Sequence, residues 1–311
     1  MRAVAVNQFG GPEMLQVLEL PDPEPGPGEV RIRVHAATVN PTDIGFRSGR
    51  AAEALSAIAP PYVPGMELAG VVDATGEGST WKAGDKVMAI VQPSRNGRGA
   101  QSELVVVPDA SVAAMPPGAS FEAAATLPMN GLTVRRALDL LDLASGQTLV
   151  VTGAAGAVGG YAVELGKVDG LHVIAVAGRN DEVLVGSFGA DSVIERGPQA
   201  AAQVRELTGG GGDALIDAAA LGAPALTAVR DGGKVAAVRA FEGETERGIE
   251  VLQVRVSDYA TNRPALEALG ELVAKGRLTL RVADTFPPEQ AAVAQEQLSA
   301  GGVRGRLVIV F

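Results

Sequence analysis

The chain has 311 residues, no cysteine and only two histidines, His35 and His172. Without thiols there are no disulfides and no thiolate metal ligands. Catalytic zinc takes three protein ligands from Cys, His and carboxylates, and the two histidines lie in unrelated stretches, so no metal is expected. No run approaches the roughly eighteen uninterrupted apolar residues of a membrane span. The opening MRAVAVNQFGG lacks the apolar core of a secretory signal, which predicts a cytoplasmic protein. Basic charge is short as well: 26 Lys and Arg stand against 36 Asp and Glu, net −10. A nucleic-acid surface needs a basic stripe that this sequence does not supply.

What is abundant is apolar residues (47%) and glycine (40 residues), enough to bury two cores in a chain of this length. The organising stretch is Leu149 to Leu165, LVVTGAAGAVGGYAVEL. Its first four residues form a short apolar run suited to a strand covered on both faces. Gly153, Gly156 and Gly159 follow three apart, each leaving room for a tight turn, a pyrophosphate or a close strand-to-helix contact. Ala157, Val158, Ala162, Val163 and Leu165 then repeat at helical spacing, so free N–H groups of a first helical turn face the glycines and favour an anion. Ala155 replaces the middle glycine of the commoner G-x-G-x-x-G, and a chance glycine turn is the bland alternative. The context argues against chance: apolar runs at Val173 to Ala177, Leu215 to Asp217 and Lys234 to Val238 continue the alternation of a parallel doubly wound sheet.

Before this region, residues 1–118 carry short β-prone runs broken by Pro and Gly, the pattern of a compact, mostly antiparallel barrel. The connector PDPEPGPGE (Pro21 to Glu29) cannot be helical. From 119 to about 256 the sequence reads as the nucleotide-binding domain, entered through helical stretches at Ser120 to Leu127, with Ser120 as N-cap, and Thr133 to Leu141. Residues 257–311 predict a helix over 264–274, a strand over 278–282, a helix over 288–299 and a last strand from Arg306 that returns to the first domain.

The ordered landmarks NPTD at 40–43, PGMELAGVV at 64–72, GDKV at 84–87, GLT at 131–133, the glycine loop, FGAD at 188–191, GGKV at 232–235 and GGVRGRLV at 301–308 together resemble the medium-chain dehydrogenase/reductase superfamily, specifically its zinc-independent quinone oxidoreductase branch. The resemblance implies an α/β fold: a GroES-like β-barrel catalytic domain (1–118, completed by 257–311) plus a Rossmann-fold doubly wound nucleotide-binding domain (119–256). Zinc-dependent relatives carry a Cys in the region of Asn40 to Asp43 and a His where this chain has Met66, and the Cys-rich structural zinc lobe is missing.

By the same resemblance Asn40 belongs at the domain cleft near the nicotinamide or substrate oxygen, Asp43 orients its loop, and Thr133 is the nicotinamide-side threonine. The bland alternatives are a turn closed by Asn40 before Pro41 and a helix N-cap at Thr133. Relatives reading R-S-G-x-Y place a tyrosine in the cleft. Here the stretch is Arg47-Ser48-Gly49-Arg50-Ala51, which leaves Tyr62 as the nearest substitute, with packing against a proline-rich loop as the rival reading. Residues 51–61 are expected to shape the substrate mouth.

Cofactor choice is read after the second Rossmann strand, where an acid favours NAD and a small residue followed by Arg favours the 2′-phosphate of NADP. Val176-Ala177-Gly178-Arg179 favours NADPH, and Arg196 offers a second guanidinium where relatives place a tyrosine. Asp181, replacing a lysine of those relatives, argues the other way. The resemblance puts Gly153, Gly156, Ala157 and Val158 at the diphosphate, Ala218 and Ala219 on the adenosine side, and Val238, Arg239 and Phe241 in the loop approaching the nicotinamide.

The expected activity is that of an NADPH-dependent quinone oxidoreductase acting on a small quinone or α,β-unsaturated carbonyl, in a homodimer. The alternatives are an enoyl thioester reductase and a silent NADPH-binding sensor or structural protein.

Overall fold

The computed structural model describes residues 1–311, which divide into two compact units: Met1–Met129 with Ala260–Ala274 and Leu280–Phe311, and Asn130–Tyr259 with Lys275–Thr279. The division falls at Met129, some residues beyond the change of composition at Ser120.

In the first unit, β1 (Arg2–Ala5) and β2 (Gln16–Glu19) form an antiparallel pair. The main sheet is built from β3 (Glu29–Val39), β4 (Glu67–Thr75), β5 (Lys86–Ile90), β6 (Leu104–Pro108) and β7 (Val112–Ala114). Three short helices, α1 (Pro41–Arg47), α2 (Pro93–Asn96) and α3 (Phe121–Ala124), punctuate it. Ser120 caps α3, its hydroxyl accepting from the Ala123 N–H at 3.2 Å. The long strand β3 is the spine: it pairs antiparallel with β4, β6 and the C-terminal strand. Its alternate residues Val30, Ile32 and Val34 enter one core with Leu68, Val87 and Val105.

The second unit begins within α4 (Pro128–Leu141) and continues as β8 (Thr148–Thr152), α5 (Ala157–Val168), β9 (His172–Ala177), α6 (Glu182–Ser187), β10 (Ser192–Glu195), α7 (Ala200–Thr208), β11 (Gly212–Asp217), β12 (Val229–Ala237) and β13 (Glu250–Gln253). Its six strands run parallel in the order β10-β9-β8-β11-β12-β13. That is a Rossmann-type sheet whose order reverses beside β8. The β11–β12 crossover holds only a 3-10 helix, Ala223–Ala228.

The chain then adds α8 (Arg263–Ala274), β14 (Val282–Phe286), α9 (Ala291–Ala300) and β15 (Arg306–Val310) to the first unit. Its seven-stranded sheet reads β14-β15-β3-β4-β5-β7, with β6 on β3. β14 lies four residues later than the expected strand at 278–282. Leu278 is buried, yet it belongs to a non-strand connection held by the Thr279 N–H, which donates to the Glu164 carboxylate at 3.1 Å. The strand itself has four exposed residues and one buried phenylalanine, so it has little apolar signal.

Candidate active site

In the second unit, five groups of expected cofactor residues follow the C-terminal ends of adjacent strands. Gly153 to Val158 follow β8, Gly178 and Arg179 follow β9, Arg196 follows β10, Ala218 and Ala219 follow β11, and Val238 to Phe241 follow β12. The sheet topology alone therefore brings them to one edge, the edge where open parallel sheets bind ligands.

The glycine turn is shaped by backbone crowding. Gly153 has φ +61°, and a β-carbon there would stand 3.2 Å from the Ala219 nitrogen. A β-carbon on Gly159 would come within 2.2 Å of the Gly153 carbonyl oxygen, so this glycine lets the strand and helix meet. Gly156 differs: it is the N-cap of α5 with φ −73° and ψ 174°, and it meets only the Gly153 oxygen at 3.2 Å. Its missing side chain keeps the approach to the helix N-terminus open. Gly153, Gly156, Ala157 and Val158 are half-buried while Ala154, Ala155 and Gly159 are buried, so the former line the accessible side. Thr152 Oγ1 donates to Asp217 at 2.7 Å and accepts from the Ala219 N–H at 3.1 Å, which locks the β8 and β11 loops together. The cradle fits a dinucleotide diphosphate.

At the β9 end, Asp181 folds back toward Gly178: a β-carbon on that glycine would lie 3.0 Å from the Asp181 carboxylate and 3.7 Å from Arg196 Nε. Arg179 points away. Its side chain is 81% exposed and its Nε lies 3.3 Å from Glu195. Arg196 borders an apolar cavity of about 680 Å³ over Val150, Val176 and Leu215, left where the 3-10 crossover replaces a full helix. Phe241 packs against the same core, and Arg239 is exposed.

Thr133 is the sixth residue of α4 and buried. Its position inside the helix corrects the N-cap alternative.

In the first unit, Asn40 is the N-cap residue of α1 and 1% exposed. Its carboxamide oxygen accepts from Arg306 at 2.6 Å and its amide donates to Thr38 at 3.1 Å. Neither turn closure alone nor an open contact surface describes it: the amide is held in a buried network. Arg306 also reaches Glu67 at 2.6 Å, and the other Glu67 oxygen accepts from the Met129 N–H at 2.7 Å.

Asp43 is fully buried, accepting from the Asn40 N–H at 2.8 Å and the Gly65 N–H at 3.1 Å. Burial pushes its carboxyl up to about 7, against the opposing pull of those two N–H groups. Asp43 lines a cavity of about 210 Å³ with Thr42, Phe46, Arg50, Met66 and Ser94. Arg50 on this wall immediately precedes Ala51, the position where relatives carry the cleft tyrosine.

Tyr62 is elsewhere. Its hydroxyl donates to the Ile58 carbonyl at 2.7 Å, and its ring stacks on Phe9 at 5.1 Å and meets Phe46 edge-on. It is absent from the wall of the Asp43 cavity, and its geometry is that of the packing alternative. Residues 51–58 pack through Leu55 into the same aromatic cluster, with Ala51 on the cavity wall.

The donors needed for zinc are not assembled. His35 stacks on Phe121 at 4.1 Å, His172 lies at the surface beside Asp191, and no group of three His, Cys, Asp or Glu side chains could hold a metal ion.

A GroES-like unit joined to a Rossmann-type unit defines the class. The alcohol dehydrogenase GroES-like domain family matches residues 26–117, and the zinc-binding dehydrogenase family matches residues 188–309. The chain is 33% identical to a chloroplastic quinone-oxidoreductase homolog of Spinacia oleracea over 63% of this chain and 61% of that protein, under two thirds of its length. It is 32% identical to a chloroplast envelope quinone oxidoreductase homolog of Arabidopsis thaliana over 70% of this chain and 68% of that one. A crystal structure of an NAD-dependent alcohol dehydrogenase superposes over the whole of both chains with TM-score 0.88 at 31% identity. The chain belongs to the medium-chain dehydrogenase/reductase superfamily, in its quinone oxidoreductase branch.

Proposed function

We propose that this protein is a zinc-independent reductase that moves hydride from NADPH to a quinone or an α,β-unsaturated carbonyl. The carrying observation is the glycine turn at the sheet edge, where Gly156 opens the N-terminus of α5 and Gly153 seats against Ala219. The Gly156 N–H is held by the Gly153 carbonyl at 2.9 Å, and the N–H groups of Ala157 and Val158 hold the diphosphate there. Arg196 faces the 2′-phosphate, with Arg179 at longer range. The bound nucleotide supplies the hydride.

Substrates with conjugated carbonyls suit a site that polarises oxygen with hydrogen-bond donors rather than a metal. In the first unit those donors are the hydroxyls of Thr42 and Ser94, in a cavity whose carboxyl, Asp43, titrates near neutrality. The cavity is smaller than the roughly 300 Å³ at which drug-sized sites begin, which favours a small substrate over a long acyl thioester. Asn40 acts through Arg306 and Thr38 as a positioning residue. The names of the plant relatives support the quinone reading. A cytoplasmic homodimer completes the proposal, and light scattering in solution tests its stoichiometry.

The test is loss of NADPH absorbance on adding 9,10-phenanthrenequinone, 1,4-benzoquinone or a simple enone. Turnover supports the proposal. Inertness to all of them with NADPH binding retained would make the protein a sensor, and turnover of enoyl thioesters alone would favour the thioester reading.

A further inference from the structure

The cavity of the first unit carries a charge that the proposed reaction does not use. Arg50 lines it beside Phe46, Ala51, Met66 and Pro93. Its guanidinium lies against α1 where Gly45 leaves space: a β-carbon on Gly45 would stand 3.1 Å from Nη1 and 3.2 Å from Cζ. The Arg50 N–H donates to the Gly45 carbonyl at 2.8 Å, which fixes the backbone that presents the side chain. No carboxylate pairs with this guanidinium.

Arg50 and Asp43 are the charged side chains on the cavity wall; Arg95 borders a different cavity, and Arg98 donates to the Pro61 carbonyl. Arg47 is buried behind the wall, donates to Gln295 at 2.7 Å and to the Gly10 carbonyl, and lies in the field of Glu13 and Glu296, so its charge is held locally. Asp43 is the acid on the wall, and burial holds its carboxyl near neutrality in titration, which weakens its opposition to an anion. An unpaired guanidinium on the cavity wall attracts an anion, and its planar fork pairs with carboxylate or sulfonate oxygens through two parallel hydrogen bonds.

Resting on the reductase reading, we infer that Arg50 sets substrate class: the preferred quinone or enone carries an anionic substituent, a carboxylate or sulfonate, that pairs with Arg50 while its ring lies against Phe46 and Met66.

The experiment compares 1,4-naphthoquinone with 1,4-naphthoquinone-2-sulfonate in wild type, Arg50→Gln, Arg50→Lys and Gly45→Ala. Loss of a charge-assisted hydrogen bond is worth about tenfold or more in affinity. Arg50→Gln is expected to raise KM for the sulfonate by about that factor, leaving KM for the neutral quinone and kcat for both within about twofold, with Arg50→Lys restoring part of the loss. Gly45→Ala, which displaces the guanidinium by a few tenths of an ångström, should fall between. Calorimetric binding of the two quinones to wild type and Arg50→Gln, without nucleotide, separates this inference from the reductase reading. Sulfonate binding that depends on Arg50 upholds it even if neither quinone is reduced. Equal affinity for both quinones, or a sulfonate affinity unmoved by Arg50→Gln, overturns it while leaving reduction of neutral quinones intact.

Discussion

Arg306 Nη2 lies 2.6 Å from Glu67 Oε1, with both side chains buried. The pair joins β15 to β4, and through Asn40 and Met129 it fixes the start of α1 and the start of α4. Removing one partner leaves a buried, uncompensated charge, a loss of about 3–5 kcal/mol. Arg306→Met should therefore lower the urea midpoint sharply, and adding Glu67→Gln should recover a large part. Equal midpoints for Arg306→Met and wild type would mean that the pair is not formed in solution.

Asp43 governs a pH dependence of stability. Its carboxyl stands at about 7 in the folded protein against 3.8 ordinarily, raised first by burial. The folded state thus binds this proton more tightly than the unfolded chain, so the contribution is fully present below about pH 4 and is lost as pH rises through about 7. Thermal melts of Asp43→Asn should show a flatter dependence than wild type between those limits. Parallel curves would place the Asp43 titration outside this window.

The two glycines of the turn should part company. Gly159→Ala puts a β-carbon against the backbone at Gly153 and Ala154, and is expected to destabilise the second unit itself. Gly156→Val has an acceptable φ and no backbone closer than 3.2 Å. Its melt should stay near wild type while NADPH binding by calorimetry disappears. Retained affinity in Gly156→Val would move the diphosphate away from this loop.

Cofactor preference should depend on Arg196 more than Arg179. Arg179 is extended into solvent and shared with Glu195, whereas Arg196 flanks Gly178. The ratio of NADPH to NADH affinity is expected to fall roughly tenfold in Arg196→Ala and under about twofold in Arg179→Ala, from the loss of one charged hydrogen bond. Asp181→Asn, by removing a carboxylate beside the same spot, should raise it. A ratio that follows Arg179 alone would reverse the assignment.

The Rossmann-type unit was legible in the sequence because its signals are local and repeated: Leu149 to Thr152 is a buried strand, and the apolar runs at Val173 to Ala177, Leu215 to Asp217 and Lys234 to Val238 continue the alternation that a glycine turn alone would not establish. The barrel strands were legible for the same reason, since turn residues bound each apolar run. Contacts between distant residues were not. Arg306 and Glu67 are 239 positions apart, and nothing near either announces the other. Asn40 was expected at the cleft from the resemblance, and its partner on β15, Arg306, could only be seen in three dimensions. Arg50 carries no local signature of a cavity residue, and Leu278 misled because an apolar residue anchoring a connection has the same composition as one in a strand.

The central claim is reduction by a nicotinamide nucleotide with no metal involved, and metal-stripped protein tests it most directly. Chelator-treated protein, verified free of transition ions by elemental analysis, should oxidise NADPH with 9,10-phenanthrenequinone at the rate of untreated protein. Activity abolished by stripping and restored by zinc would contradict the account.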